Sequence, residues 1–225
     1  MRPFVFVNLA MSADGKLSTT ERRQVKISGK SDFLRVDEIK AGSDAIMVGI
    51  GTVTADDPSL TVKSEKLKKE RTERGCEENP IRIVIDSEGR TPENAEILHK
   101  GPGRRIIAVS EKASDKNLER LSPYADIIVA GKDKVDLAGV MEALSDIDVK
   151  RVMVEGGGTL IWSLFEEDLI DEFYTCIGNI IIGGDSAPTP ADGTGFIKEE
   201  NFTRLELIDM EKADEGVLLR WRVKR

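Results

Sequence analysis

The feature that most constrains this chain is a regular alternation of short apolar runs with helical patterns. Residues 4–9, 45–49, 81–86, 105–110, 126–130 and 151–155 are rich in Val, Ile and Phe and read as strands. Between them, residues 31–41 carry Phe33, Leu34, Val36 and Ile39 at the spacing of one helix face, with Ser31 as a capping residue. Helical patterns also lead to about residue 121 and cover 137–144 and 160–167. Strands alternating with helices bury both faces of a sheet, which calls for a mainly parallel arrangement. The chain then becomes strand-rich, at 172–182, 203–211 and 217–223, so antiparallel strands are expected at one edge. Residues 64–79 are nearly all charged and read as a solvated excursion, helical in part. No repeat and no separate texture divides the chain, so residues 1–225 are expected to be one domain.

Two glycine-rich turns follow strands. Val154-Glu-Gly-Gly-Gly-Thr159 runs from a strand into a helix. Consecutive glycines let backbone N–H groups approach a phosphate without a Cβ in the way, and the helix N-terminus adds partial positive charge. The competing reading is a tight strand-to-helix turn with no ligand. Three glycines and the Thr159 hydroxyl tip the balance toward an anion site. The run is neither a full Gly-x-Gly-x-x-Gly fingerprint nor a P-loop, which disfavours ATP hydrolysis. Gly49-Ile-Gly-Thr52 is a second such turn. Ligands of open α/β sheets bind beyond the carboxyl ends of the strands, so two turns of this kind suit the two ends of an extended cofactor.

Several functions are disfavoured by composition. The net charge of −8 argues against a nucleic-acid-binding face. No apolar run approaches the roughly 18 residues that span a bilayer, and no signal peptide opens the chain, so a cytoplasmic protein is expected. His99 is the single histidine, and Cys76 and Cys176 lie far apart, so neither a zinc site nor a disulfide framework is expected. No nucleophile-elbow motif accompanies His99.

Taken together, Asn8-Leu-Ala-Met-Ser-Ala-Asp-Gly-Lys16, Ser43-Asp-Ala-Ile-Met-Val-Gly-Ile-Gly-Thr-Val-Thr-Ala-Asp-Asp-Pro-Ser-Leu-Thr-Val62, Ile83-Val-Ile-Asp-Ser87 and Val154-Glu-Gly-Gly-Gly-Thr-Leu160 resemble the riboflavin-pathway pyrimidine reductases. The resemblance covers essentially the whole chain, and the combination is far more specific than any piece. It implies an α/β, dihydrofolate-reductase-like fold: a mainly parallel central sheet flanked by helices, with antiparallel C-terminal edge strands. It also implies NADPH-dependent reduction of the ribose of a ribosylamino-pyrimidinone 5′-phosphate to a ribityl chain. The zinc-deaminase signature found in fused bacterial relatives is missing, and Asn8 stands where bacterial forms typically carry lysine. Both point to the stand-alone archaeal and fungal type, whose substrate is 2,5-diamino-6-ribosylamino-4(3H)-pyrimidinone 5′-phosphate.

Carried over residue by residue, the resemblance implies cofactor contacts from Ala10, Thr52, Asp56, Asp86, Ser87, Gly157, Gly158, Thr159 and Leu160. Substrate contacts are implied for Lys40, Leu60 and Lys63, the lysines suiting the 5′-phosphate. Glu155 and Asn8 are the implied catalytic residues, with Glu155 placed to pair with ring N–H donors or steer a proton. No metal is implied. Glu88 would repel a 2′-phosphate and Arg90 would compensate, which leaves NADPH first and NADH second. The resemblance also implies a homodimer, with residues 177–182 as part of an interface. The alternatives are a reductase of the deaminated uracil analogue, a dihydrofolate reductase, and a non-enzymatic nucleotide-binding scaffold.

Overall fold

The computed structural model describes residues 1–23 and 25–225. Among the described residues the architecture is α/β, with nine strands that pair mainly in parallel and antiparallel pairing among the C-terminal strands. Two compact units are distinguished: Met1–Phe4 with Asp37–Met153, and Val5–Val36 with Val154–Arg225.

The first unit holds β2 (Ala45–Gly49), β3 (Ile81–Ile85), β4 (Arg105–Val109) and β5 (Asp126–Val129), all parallel, in the order β5-β4-β3-β2. Ile46, Met47, Val48, Ile83, Val84, Ile106 and Ile107 are buried, as expected of parallel strands covered on both faces. The connecting helices start on capping side chains. Ser64 caps α3 (Glu65–Glu73), Ser114 caps α5 (Asp115–Leu121), and Asp136 caps α6 (Leu137–Asp146), each accepting an N–H three residues on. Helix α6 buries Leu137, Val140, Met141 and Leu144, one stripe at the helical period. The shorter α2 (Ile50–Asp56) and α4 (Glu96–His99) follow β2 and β3.

The charged stretch after residue 64 is more than a solvated excursion. It forms α3, and Arg71 turns inward to 4% exposure. Its guanidinium donates to the carbonyls of Ala41, Ser43 and Glu77 at 2.7–2.9 Å. Arg74 adds a bond to Ala41 O at 3.1 Å, so two cations dock an otherwise hydrophilic helix.

The second unit holds β1 (Phe4–Met11), counted from Val5, with β7 (Glu172–Ile177), β9 (Gly216–Val223) and β8 (Leu205–Ala213), in the order β1-β7-β9-β8. β1 and β7 are parallel, whereas β7, β9 and β8 are antiparallel. The strand expected over 172–182 ends at Ile177. Gly178 presses against Ile27, where an added Cβ would stand 2.4 Å from the Ile27 carbonyl oxygen, and the chain turns away there. Helix α7 (Gly158–Glu166) covers one sheet face, stacking Phe165 on Phe173 at 5.5 Å. The start of α1 (Lys30–Ala41) covers the other face through Arg35, which reaches Asn8. β6 (Arg151–Gly156) contributes residues to both units.

Candidate active site

In the second unit the glycine run lies at the end of β6 and the start of α7. Gly156 has φ +135°, a conformation that only glycine adopts readily, and the Gly156–Gly157 peptide is cis. Gly157 is the N-cap of α7. A Cβ on Gly158 would stand 2.3 Å from the Thr189 carbonyl oxygen, and Gly158 O accepts the Asp192 N–H at 3.1 Å. The first intrahelical bond runs from Ile161 N to Gly157 O. The amides of Gly158, Thr159 and Leu160 precede it, and these are the groups that a helix N-terminus offers to an anion. Thr159 is exposed and Leu160 is buried. Two of the three glycines are therefore demanded by local geometry, and the helix N-terminus supplies the anion-binding character.

Asn8 and Ala10 alternate on β1, on the same strand face. Asn8 is 6% exposed, and its carboxamide oxygen accepts from Arg35 Nη2 at 2.8 Å. Glu155, on β6, is half-buried.

In the first unit, Thr52 and Asp56 lie one turn apart on α2, Thr52 half-buried and Asp56 exposed. The chain leaves α2 through Asp57 in the left-handed conformation, and the Asp57 carboxylate accepts the Glu96 N–H at 2.8 Å. Leu60 is 3% exposed with φ +51°, unusual for a bulky residue and a mark of a segment held in place by its surroundings.

Those surroundings can be named. Asp37 accepts the N–H groups of Lys63 and Ser64 at 2.7 and 2.8 Å. Asn79 accepts the Val62 N–H at 2.9 Å and donates to Pro102 O at 3.0 Å. On this fixed strip, Lys63 Nζ donates to Ser59 Oγ at 2.9 Å and Thr61 Oγ1 at 2.8 Å. Burial, followed by the charges of Lys100 and Lys40, holds the Lys63 ammonium below the ordinary lysine pKa. Lys63 thus meets two hydroxyls in the field of two further cations, of which Lys100 is itself paired with Glu96 at 2.9 Å, and the carboxylates of Glu96 and Asp37 offset part of the repulsion.

Lys100, Ser59 and Thr61 are not picked out by the sequence reading. The alternation Ser59-Leu-Thr-Val-Lys63, with polar residues on one side, was a legible sign for the hydroxyls. Lys100 had none, because it arrives through a loop held from elsewhere. Fully buried Arg82 donates to the carbonyls of Lys100, Pro102 and Gly103 at 2.6–3.1 Å, and Arg105 donates to those of Ile97, Gly101 and Gly103.

Asp86 and Ser87 follow β3 directly. Asp86 is fully buried, and its Oδ2 accepts both the N–H and the hydroxyl of Thr91 at 2.6 and 2.8 Å. That carboxylate closes a turn. Ser87 is half-buried, and its Oγ accepts the Val135 N–H at 3.2 Å. Glu88 is exposed, and the half-exposed Arg90 lies 3.7 Å from Asp86. His99 is exposed, with Nε2 2.6 Å from Glu93 O.

The fold is that of the RibD-type reductases, the dihydrofolate-reductase-like class. The chain superposes on Acinetobacter baumannii RibD with a TM-score of 0.79 at 24% identity, covering 100% of this chain and 59% of that one. It superposes on the Saccharomyces riboflavin biosynthesis reductase Rib7 with a TM-score of 0.71 at 22% identity, covering 99% and 90%. The family profile described as "RibD C-terminal domain" matches residues 3–219, and the chain belongs to that family. A relative from Archaeoglobus fulgidus, named 2,5-diamino-6-ribosylamino-4(3H)-pyrimidinone 5′-phosphate reductase, is 47% identical over 208 residues, 92% of this chain and 94% of that protein. A relative of the same name from Methanothermobacter thermautotrophicus is 39% identical over 224 residues, 100% of both chains.

Proposed function

We propose that this protein is a cytoplasmic oxidoreductase that reduces the ribose of 2,5-diamino-6-ribosylamino-4(3H)-pyrimidinone 5′-phosphate in riboflavin biosynthesis, using NADPH. The two archaeal relatives of that name match it over nearly their full lengths. The observation that carries the reading is Lys63 held on the hydroxyls of Ser59 and Thr61, its pKa lowered by burial and then by the charges of Lys100 and Lys40, a setting that suits a phosphate monoester.

In the reaction, the C1′–O4′ bond of the glycosylamine breaks as O4′ takes a proton and the exocyclic nitrogen forms an imine with C1′. A nicotinamide cofactor, when bound, would supply the hydride equivalent for reduction at C1′. Substrate, NADPH and one proton give the ribitylamino product and NADP⁺. The residues present suit a dinucleotide: the amides of Gly158, Thr159 and Leu160 at the start of α7 would take a phosphate. Thr52 and Asp56 in the first unit, and the Ala10 backbone in the second, keep the cofactor roles that the resemblance implies. Ser87 and Arg90 serve the adenosine ribose and its 2′-phosphate. Asp86 fixes the turn that carries Ser87 through Oδ2 on Thr91, and with its Oδ1 free of any hydrogen bond among the described residues it keeps its cofactor role beside Ser87. Leu60, in the first unit, keeps the substrate role that the resemblance implies, and Glu155, in the second, serves to steer a proton.

A homodimer is part of this reading. β8 is the outermost strand and exposes Leu207, Ile208 and Met210, an apolar edge of the kind that chains cover by pairing.

The test is transfer of label from cofactor carrying deuterium at both hydrogens of nicotinamide C4, with NADPH and NADH run in parallel. One deuterium should appear at C1′ of the ribityl product, faster from the phosphorylated cofactor. Product without label would rule out direct hydride transfer, and faster transfer from NADH would reverse the cofactor preference.

A further inference from the structure

The carboxamide of Asn8 has two unlike ends, an oxygen that only accepts and an NH2 that only donates. Arg35 Nη2 lies 2.8 Å from the oxygen. A guanidinium has five N–H donors and no acceptor, so chemistry alone fixes which end of the amide faces it. Arg35 is itself held. Its Nε and Nη2 donate to Asp32 Oδ1 at 2.9 and 2.6 Å, and Asp32 is 4% exposed. Asp32 sits in the first turn of α1, which Asp214 ties down by accepting the Ser31 N–H at 3.1 Å. The neighbouring thiol of Cys176 does not compete for Arg35 as an anion, since burial, followed by the Asp32 charge, pushes its pKa up to about 11.

We infer that the Asp32–Arg35 pair is a positioning device that turns Asn8 so that it presents a hydrogen-bond donor, and only a donor, to the bound reactants. The acceptor it meets would be a hydroxyl or carbonyl oxygen, or a ring nitrogen. A carboxamide without Arg35 would offer either end. A hydrogen bond to a charged group favours one orientation by about 10–100-fold. This inference rests on the reading that Asn8 contacts substrate or cofactor.

The test measures kcat, KM for each substrate and Tm for Asn8→Ala, Asn8→Asp, Arg35→Met, Arg35→Lys and the double variant Arg35→Met/Asn8→Ala. Asn8→Asp keeps the shape and the partner of Arg35 but replaces the donor with an oxygen. It should fold as well as the parent and lose about 10–100-fold in kcat/KM. Arg35→Met should fall similarly and Arg35→Lys should recover most of the loss. The double variant should fall no more than about twofold below Asn8→Ala, because the two residues act as one. Losses that multiply in the double variant, or an Arg35→Met that lowers Tm while leaving kcat/KM intact, would overturn the inference and leave the reading of Asn8 standing. Full activity in Asn8→Ala would overturn both. If Arg35→Met does not fold, Asp32→Asn takes its place in the cycle, with the same loss expected and the same outcomes decisive.

Discussion

At the scale of single residues, the account turns on Lys63 and Glu155. Lys63 is the cation that the strip 59–63 is built to hold, with both hydroxyls on its ammonium. Removing it as Lys63→Ala should raise KM for the phosphorylated substrate by about 10–100-fold, the worth of a charge-assisted hydrogen bond, with less effect on KM for the cofactor. The sign of the pH dependence follows from its lowered pKa. The ammonium is lost at a lower pH than from a free lysine, near 10.4. Substrate KM should therefore begin to rise on the alkaline side before that range, and Lys63→Arg should remove the rise. A KM flat with pH in the parent enzyme would show that Lys63 does not hold the phosphate. Glu155→Gln should cut kcat by about 10²-fold while leaving cofactor affinity within a fewfold, as expected for a residue that moves or orients a proton. Equal turnover would take Glu155 out of the chemistry. The sequence made both residues visible because each sits inside a compact motif. Lys100 was invisible because its place depends on Arg82 and Arg105, residues on two different strands whose guanidinium groups gather one loop.

At the scale of elements, the strands and helices were largely legible, since buried parallel strands leave near-continuous apolar runs and capped helices leave Ser or Asp at their starts. Where the pattern fell short, single contacts fixed the outcome. The charged segment, expected to be helical in part, forms helix α3, and the pattern did not show that Arg71 would turn inward onto three carbonyls. The strand expected to 182 stopped at Ile177 because Gly178 meets Ile27. The glycine run was read as an anion cradle, and the structure adds that Gly156 and Gly158 are needed for the turn itself. The loop 100–103 makes the energetic point testable. Arg82 is fully buried, with burial and then Arg105 lowering its pKa to about 10, and it serves carbonyls rather than an acid. Arg82→Met would leave those carbonyls unsatisfied, at about 1–3 kcal/mol for each group that water cannot reach. The variant should melt at least several degrees lower and bind substrate more weakly, because Lys100 is no longer held. Unchanged stability in chemical denaturation would show that the loop does not depend on Arg82.

At the scale of the whole molecule, the chain is an α/β protein of the RibD C-terminal domain family, with no described helix long and apolar enough to cross a membrane. Its relatives from Archaeoglobus and Methanothermobacter carry the name of a reductase that acts on the diamino compound. The most direct test is loss of NADPH absorbance with the purified protein, first with 2,5-diamino-6-ribosylamino-4(3H)-pyrimidinone 5′-phosphate and then with its deaminated uracil analogue. The account predicts rapid oxidation with the diamino compound and a lower kcat/KM with the analogue. No oxidation with the diamino compound, or a preference for the analogue, would contradict it.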